Sequence, residues 1–194
     1  MYIEYEEKEN NSIPDRDKCL ELMDLYDMLP HIKEHSIVVC DVALAIARAV
    51  DNSGYEFNLH RITAASLLHD ITKTRSIKTK ERHGDTGEEL LAQLGYKDVA
   101  VLVREHVVPD NVSRDVLSEG EIVCYADKRV LHDKVVCLHR RFEYLYRKYG
   151  RNERSTLRIN TMEQRMRNIE EKIKRLLKER SVSGWESFLN LERF

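Results

Sequence analysis

Apolar residues recur at helical spacing along nearly the whole chain, and this periodicity limits the possible folds more than any other feature. In residues 30–50 the apolar positions follow mixed steps of three and four, which places them on one face of a helix. The β-branched runs Ile-Val-Cys and Val-Val-Cys lie inside longer helical periods. Only 7 Gly and 3 Pro, the residues that interrupt helices, occur among 194. The pattern predicts an all-α fold.

Six helical segments and an amphipathic tail follow from this periodicity. The predicted helices cover residues 16–28, 30–50, 59–70, 86–94 and 97–107, and one long helix covers residues 119–150. Asn58 is placed to cap the third helix and Gly95 to end the fourth. In the tail, apolar residues alternate steps of four and three, which is typical of a helix packed on another helix. These residues are Met162, Met166, Ile169, Ile173 and Leu176.

Charge and pattern divide the chain into three predicted parts. These are an acidic N-terminal segment (1–15), a helical domain (16–150) and a basic amphipathic helical extension (151–194), which packs on the domain or on a partner subunit of a homodimer. Residues 1–139 carry 17 basic and 26 acidic side chains, whereas residues 140–180 carry 14 and 6. The basic stretch is suited to contact nucleic acid or a phosphorylated ligand. A solvated helix, or one folded back on the acidic body, also explains its charge.

Composition predicts a cytoplasmic globular protein. Hydrophobic residues make up 42% and charged residues 34%, a balance that excludes a disordered chain. No apolar run approaches the roughly 20 residues that span a bilayer, and the start MYIEYEEKEN is acidic rather than signal-like. The four cysteines are scattered without a CxxC spacing, which indicates reduced thiols in the core.

His69 and Asp70 stand side by side at the end of the apolar run ITAASLL. Burying an imidazole or a carboxylate costs free energy unless a partner satisfies it, and a metal ion bound between them would be such a partner. Four further residues beside apolar helical segments can join this site. They are His35, His83, His106 and Asp127. Together the six residues predict an oxygen- and nitrogen-rich centre for one or two ions.

The order of these residues resembles the HD superfamily of metal-dependent phosphohydrolases, over roughly residues 29–131. The pattern of that superfamily is a helix-borne His, an adjacent His-Asp pair and a distant Asp. Here it falls on His35 in EHSIVV, His69-Asp70 in LLHDITK and Asp127 in YADKRV. The resemblance implies an HD-domain helical bundle in which these four residues hold one divalent metal.

Subfamilies with two metals add two intervening histidines, and His83 in RHGDTGEELL and His106 in VREHV match their positions. The resemblance then implies that Asp70 bridges to a second metal bound by these two histidines. Thr72 replaces the Gly of the HDIG-type sequence and leaves the ligands intact. Iron or manganese suits imidazole and carboxylate ligands best, and magnesium and zinc stay open.

Bacterial enzymes that symmetrically cleave diadenosine tetraphosphate are similar to this chain in size and in the order of these residues. The chain departs from them in the short loop between Asp70 and His83 and in KRVLHDK after Asp127. The resemblance implies hydrolysis of a phosphoester or phosphoanhydride bond, in a nucleotide or dinucleoside polyphosphate, by metal-activated water. The expected partner is therefore a small phosphorylated substrate.

Cationic side chains after the His-Asp pair are suited to bind that substrate. Lys73 lies four residues, one helical turn, after His69, so it can share that face and meet a phosphate. Arg75 and Arg82 continue a cationic loop beside an otherwise acidic body and would attract an anion. The predicted catalytic residues are Asp70 and Lys73. The predicted substrate-binding residues are Lys73, Arg75 and Arg82.

Two other functions compete with this hypothesis. HIKEH, from His31 to His35, matches the H-x-x-E-H zinc-protease motif with Glu34 as base, but leaves the His-Asp pair unexplained. A non-catalytic HD-like module that senses a ligand or RNA would use the basic residues 140–180 as its contact surface. Intact ligand candidates favour the enzyme over this module.

Overall fold

Helices dominate the structure, a computed structural model that describes residues 13–51, 56–107 and 116–179. In chain order its elements are α1 (Arg16–Leu25), α2 (Pro30–Asp51), α3 (Leu59–Leu68), α4 (Lys73–Thr79), α5 (His83–Gln93), α6 (Lys97–Glu105), α7 (Glu119–Lys128), β1 (Val130–Leu131), β2 (Lys134–Val135), α8 (Leu138–Tyr149) and α9 (Glu153–Glu179). The two short strands pair antiparallel, and the described ranges hold no other sheet. The all-α prediction is confirmed. None of the helices in these ranges is long and apolar enough to cross a membrane.

The centre of the core is α3, a short helix that packs against α1, α2, α6 and α7. Its buried positions run without a break from residue 64 to residue 68. The helix is capped as predicted, because the Asn58 side chain accepts a hydrogen bond from the Arg61 backbone N–H at 3.1 Å. Burial of α3 places the following residues, His69 and Asp70, inside the molecule as well, where they are 1% and 7% exposed.

The predicted long helix over residues 119–150 is wrong, because the chain breaks after α7. Arg129 leaves helical geometry, and a tight hairpin follows in which His132 adopts a left-handed φ of 57°. Two hydrogen bonds stabilise the break: Arg129 Nε donates to the Val136 carbonyl at 2.7 Å, and the Val136 N–H donates to the Arg129 carbonyl at 2.7 Å. The hairpin reverses the chain, so that residues of α8 line the same cavity as residues of α7.

Three shorter segments also differ from the prediction. The first helix ends at Leu25 rather than at residue 28, because the chain turns at Asp27, which has a φ of 51°. The third ends at Leu68, so the His-Asp pair lies in a turn. The predicted cationic loop forms α4, which ends at Thr79 and is followed by Lys80 with a φ of 65°. This helix is short and mostly polar, so apolar periodicity could not reveal it.

The amphipathic stripe of the tail packs on the body through α9. Met166, Ile169 and Ile173 have no exposed surface. The sulfur of Cys124 in α7 lies 3.9 Å from the sulfur of Met166. The described part of the predicted extension therefore shares the core of the helical domain. Residues 1–12 of the predicted acidic segment and the end of the extension lie outside the described residues.

A buried ion pair joins α9 to the start of α7. Lys172 Nζ lies 2.7 and 2.8 Å from the carboxylate oxygens of Glu121 and donates to the Val116 carbonyl at 2.8 Å. The two side chains are 3% and 1% exposed. Glu121 also accepts a hydrogen bond from the Ser118 N–H at 2.9 Å, within a capping box at the N-terminus of α7. In this way α9 holds the helix whose other end carries Asp127.

Replacing Lys172 by Met should destabilise the fold by about 3–5 kcal/mol, because Glu121 would keep a buried charge without its cation. The free energy of unfolding in urea measures the effect. Lys174→Met is the matched control, since Lys174 pairs with Glu170 and Glu171 nearer the surface and its loss should change the free energy by less than about 1 kcal/mol. Equal effects of the two substitutions would contradict a structural role for the buried pair.

Candidate metal centre

The six residues predicted as metal ligands converge on one cavity of about 480 Å³. Five of them line the cavity, and His69 is buried beside them. Their positions are His35 in α2, His69 at the C-cap of α3, Asp70 in the following turn, His83 at the start of α5, His106 at the C-cap of α6 and Asp127 near the end of α7. Packing of five helices thus brings together side chains that are far apart in the sequence.

Two groups of side chains are close enough to hold an ion, and Asp70 belongs to both. In the first group the ligand atoms of His35, His69 and Asp70 lie within 4.8 Å of one another. Asp127 adjoins this group, because its Oδ1 lies 3.0 Å from His35 Nε2 and 3.9 Å from His69 Nε2.

The second group consists of Asp70, His83 and His106, whose ligand atoms also lie within 4.8 Å of one another. Asp70 Oδ1 is 3.2 Å from His83 Nε2 and 3.8 Å from His106 Nε2. The two imidazole nitrogens are 3.2 Å apart. A carboxylate shared between two such groups could contact an ion in either group.

Close packing of α5 on α6 places His83 next to His106. A Cβ atom added to Gly87 would lie 2.9 Å from Val103 Cγ1, so only glycine allows this approach without a shift. Thr72 ties the same region to the His-Asp turn, because its hydroxyl donates to the His83 carbonyl at 2.9 Å. The departure from the HDIG-type sequence therefore adds a hydrogen bond that positions a candidate ligand.

Three of the four histidines direct Nδ1 at a backbone carbonyl. The pairs are His35 with His132 at 2.8 Å, His69 with Ser66 at 2.8 Å, and His106 with Val103. A carbonyl only accepts hydrogen bonds, so Nδ1 carries a proton, and in the neutral ring Nε2 presents its lone pair. These lone pairs face Asp70 and Asp127, which are also acceptors when ionised. A cation between the two sets of acceptors satisfies both, as in metal-binding histidines.

His69 provides the sharpest sign that an ion belongs here. Its Nε2 is buried and has no hydrogen-bond partner among the described residues. A carboxylate oxygen, Asp70 Oδ2, lies 3.6 Å away, too far for a hydrogen bond. Buried polar atoms without a partner are rare in native proteins, and an ion is one explanation for them. The residues present therefore fit a divalent cation.

Both carboxylates of the site are ionised. Burial works against ionisation of Asp70, but the neighbouring groups, Lys73 and the hydrogen bond from His83 among them, outweigh it and hold the pKa of Asp70 well below its usual range. Burial also opposes ionisation of Asp127, whose pKa is nevertheless held well below its usual range, chiefly by Lys128. Ionised carboxylates are the form that binds metals.

The imidazoles differ in charge. Burial lowers the pKa of His69 and lowers the pKa of His106 well below its usual range, so both stay neutral. Burial also lowers the pKa of His35, but the hydrogen bond and charge of Asp127 outweigh it and raise that pKa. Positive charge is therefore favoured next to Asp127, whether a proton on His35 or a metal supplies it.

Lys73 meets the metal-binding residues from a direction that the sequence did not predict. It begins α4 instead of continuing α3, and its Nζ lies 3.2 Å from His83 Nε2 and 3.4 Å from Asp70 Oδ1. Its ammonium thus lies among the ligand atoms of the second group, where a second metal would compete with it. The side chain is 37% exposed, which leaves it room to turn away.

The other two predicted substrate-binding residues lie outside the cavity. Arg75 Nε is 3.2 Å from Glu81 Oε2, and Arg82 Nε is 3.2 Å from Asp85 Oδ2. Neither arginine lines the cavity of the metal-binding residues. Their roles in substrate binding stay predictions.

Sequence reasoning missed several cavity residues on both sides of the hairpin. They are Lys128, Arg141, Tyr144, Lys148 and Tyr149. Lys128 pairs with Asp127 and donates to the His106 carbonyl at 3.3 Å, so it braces two candidate ligands. The signal for the others was the run RRFEYLYRKY, with its cations and tyrosines. In the predicted long helix, that run would lie far from the site.

The zinc-protease alternative gains no support from the geometry. His31 and Glu34 are both exposed, and neither belongs to a metal-binding group in the part of the chain that the structure describes. His35 instead groups with His69 and Asp70, the pair that the protease hypothesis left unexplained.

Comparison with known proteins agrees with this arrangement. Residues 32–130 match the HD domain family. An uncharacterised protein of Methanocaldococcus jannaschii is 25% identical over 153 residues, which cover 72% of this chain and 89% of that protein. A tRNA (cytidine(56)-2'-O)-methyltransferase of Thermoplasma volcanium is 30% identical over 153 residues, which cover 71% of this chain but 43% of the methyltransferase. No solved structure gives a significant match. Since the matched residues span about half of the chain and include all six converging side chains, the chain belongs to the HD domain family.

Proposed function

We propose that this protein is a metal-dependent phosphohydrolase that cleaves a phosphoester or phosphoanhydride bond in a nucleotide. The observation that carries the proposal is the orientation of three imidazoles, each with Nδ1 held by a carbonyl and Nε2 directed at buried carboxylates. Membership of the HD domain family supports the same chemistry. Cleavage of diadenosine tetraphosphate stays a prediction.

The first group, with Asp127 beside it, would hold one metal, and Asp70, His83 and His106 would hold a second. Their imidazole and carboxylate donors suit iron or manganese best, with magnesium and zinc as the alternatives. Divalent cations bound here would polarise a phosphoryl oxygen and lower the pKa of the attacking water.

The chain itself supplies position and charge around that centre. Lys128 bonds Asp127 and the His106 carbonyl, so one ammonium keeps two candidate ligands in place. Lys73, next to Asp70 and half-exposed to the cavity, is placed to donate to a phosphoryl oxygen and offset its negative charge. Asp70, whose pKa is held low, would serve as a metal ligand shared by both groups rather than as a proton donor.

A second candidate function is RNA binding through the basic residues 140–180, which carry 14 basic and 6 acidic side chains. One relative is named as a tRNA methyltransferase, and this chain matches 43% of it. Binding of tRNA that weakens by roughly a thousand-fold between 50 and 200 mM salt, and that survives Asp70→Ala, would favour this candidate. The same chain without measurable tRNA affinity at the lower salt would remove it.

His69→Ala should remove bound metal and lower turnover by at least about 100-fold. Loss of an outer-sphere partner of a metal site costs up to about 100-fold, and loss of a ligand should cost no less. Elemental analysis, together with phosphate release from a panel of nucleotides, measures both effects. His60→Ala is the matched control, because His60 is exposed on the same helix and lies outside both metal-binding groups of the described residues. Full metal content and turnover in His69→Ala would refute the assignment.

Lys73→Ala should strengthen binding of the second metal by about tenfold, since removing a nearby like charge is worth on the order of 1 kcal/mol. Equilibrium dialysis with manganese measures the two affinities. Turnover should fall by about 100-fold, because a donor to the phosphoryl group is lost. Lys78→Ala, on the exposed face of α4, is the control. Unchanged affinity for the second ion in Lys73→Ala would show that the ammonium does not compete with it.

A further inference from the structure

Part of the cavity wall comes from residues outside the stretch that matches the HD domain family, which ends at residue 130. Among them are Arg141, Tyr144, Leu145, Lys148 and Tyr149 of α8 and Met162 of α9. The family likeness therefore accounts for the metal-binding residues but not for this wall, which is a feature of this chain that faces the same space.

Arg141 is the cation of this wall that lies nearest the metal-binding residues. Its Nη2 is 3.9 Å from Asp127 Oδ1, and its side chain is 14% exposed. Its Nε is buried and has no hydrogen-bond partner among the described residues. A guanidinium with an unused donor, beside an ionised metal ligand, is suited to bind a phosphate through two parallel hydrogen bonds.

Two tyrosines form the outer part of the wall, and Lys148 holds them. Lys148 Nζ donates to the Tyr144 hydroxyl at 2.7 Å and lies 5.2 and 5.5 Å from the ring centroids of Tyr144 and Tyr149. Tyr149 is 51% exposed, although large aromatic side chains are usually covered. Leu145 and Met162 continue the apolar surface. Such a wall suits a flat aromatic ring better than a polar sugar.

The cavity volume suits a ligand with one aromatic unit. About 480 Å³ lies within the range of pockets that enclose a single drug-sized molecule. A nucleoside with one phosphate fits that range, with the phosphate at the metal-binding end and the base at the tyrosines.

We propose that α8 determines the substrate of the proposed hydrolase, and that this substrate is a nucleoside monophosphate. Arg141 binds its phosphate, and Tyr144 and Tyr149 hold its base. In the reaction water forms a bond to phosphorus, and the bond from phosphorus to the nucleoside oxygen breaks. One proton of the water passes to that oxygen, and the products are a nucleoside and inorganic phosphate. The assignment rests on the proposed function.

Kinetics of the metal-loaded full chain test this assignment. The kcat/KM for adenosine 5'-monophosphate should exceed that for glycerol 3-phosphate by about 5- to 100-fold, the contribution of one base stack, because both substrates carry the same phosphate. It should also exceed that for diadenosine tetraphosphate, which is larger than the single nucleotide that the cavity suits. Preference for glycerol 3-phosphate, for the dinucleotide or for an oligonucleotide would overturn the assignment while leaving the proposed hydrolase intact.

Two variants separate the phosphate-binding part of the wall from the aromatic part. Arg141→Ala should raise the inhibition constant of inorganic phosphate more than that of adenosine. Tyr149→Ala should raise the constant of adenosine by about 5- to 100-fold, the loss expected for one base–aromatic stack, and should affect phosphate less. Arg140→Ala is the control, because Arg140 is the exposed neighbour of Arg141 and does not line the cavity. Equal changes for both inhibitors in both variants would overturn the division of roles.

If no substrate is cleaved, the proposed function is wrong. Calorimetry can then still test whether α8 binds a nucleotide. Binding of adenosine 5'-monophosphate to the metal-loaded protein should weaken in Arg141→Ala and Tyr149→Ala but not in Arg140→Ala. Unchanged binding in both cavity variants, with helicity preserved by circular dichroism, would overturn the role of α8.

Discussion

The structure depends on keeping buried carboxylates and imidazole lone pairs side by side. Asp70 and Asp127 are ionised in the interior, and Nε2 of His69 has no partner among the described residues. Groups of this kind are costly to bury unless a cation lies between them. The carbonyls that hold three of the imidazoles also prevent the rings from turning away. The groups of the site are therefore already positioned to bind an ion.

Other features of the fold keep these groups in position. The ion pair between Lys172 and Glu121 fixes α9 against the start of α7, and the far end of α7 carries Asp127. Gly87 has no side chain at the contact between α5 and α6, and this close packing brings His83 to α6. Both contacts, the ion pair and the packing at Gly87, act on helices rather than on loops, which gives the candidate ligands a rigid support. The contacts that stabilise the fold and the candidate metal ligands therefore share α5 and α7.

The hairpin after α7 links the candidate metal ligands to the part of the cavity wall that α8 contributes. The hairpin reverses the chain, so that Arg141 and the tyrosines of α8 line the same cavity as Asp127 of α7. The match to the HD domain family ends at residue 130, just where the hairpin begins. The match to the HD domain family and the cavity wall formed by α8 therefore come from successive parts of the chain, and the hairpin carries His132, whose carbonyl orients His35.

Sequence alone determined the helical fold, because helical periodicity and capping by Asn58 are local properties. The order of His and Asp along the chain identified the six side chains that converge on one cavity, although it could not show how they meet. Only the tertiary structure decided the break after Lys128, since Arg129 is held by Val136 across the hairpin. It also decided the orientation of each imidazole, the place of the Lys73 ammonium and the presence of α8 in the cavity. These depend on contacts between residues far apart in sequence, which no local pattern encodes.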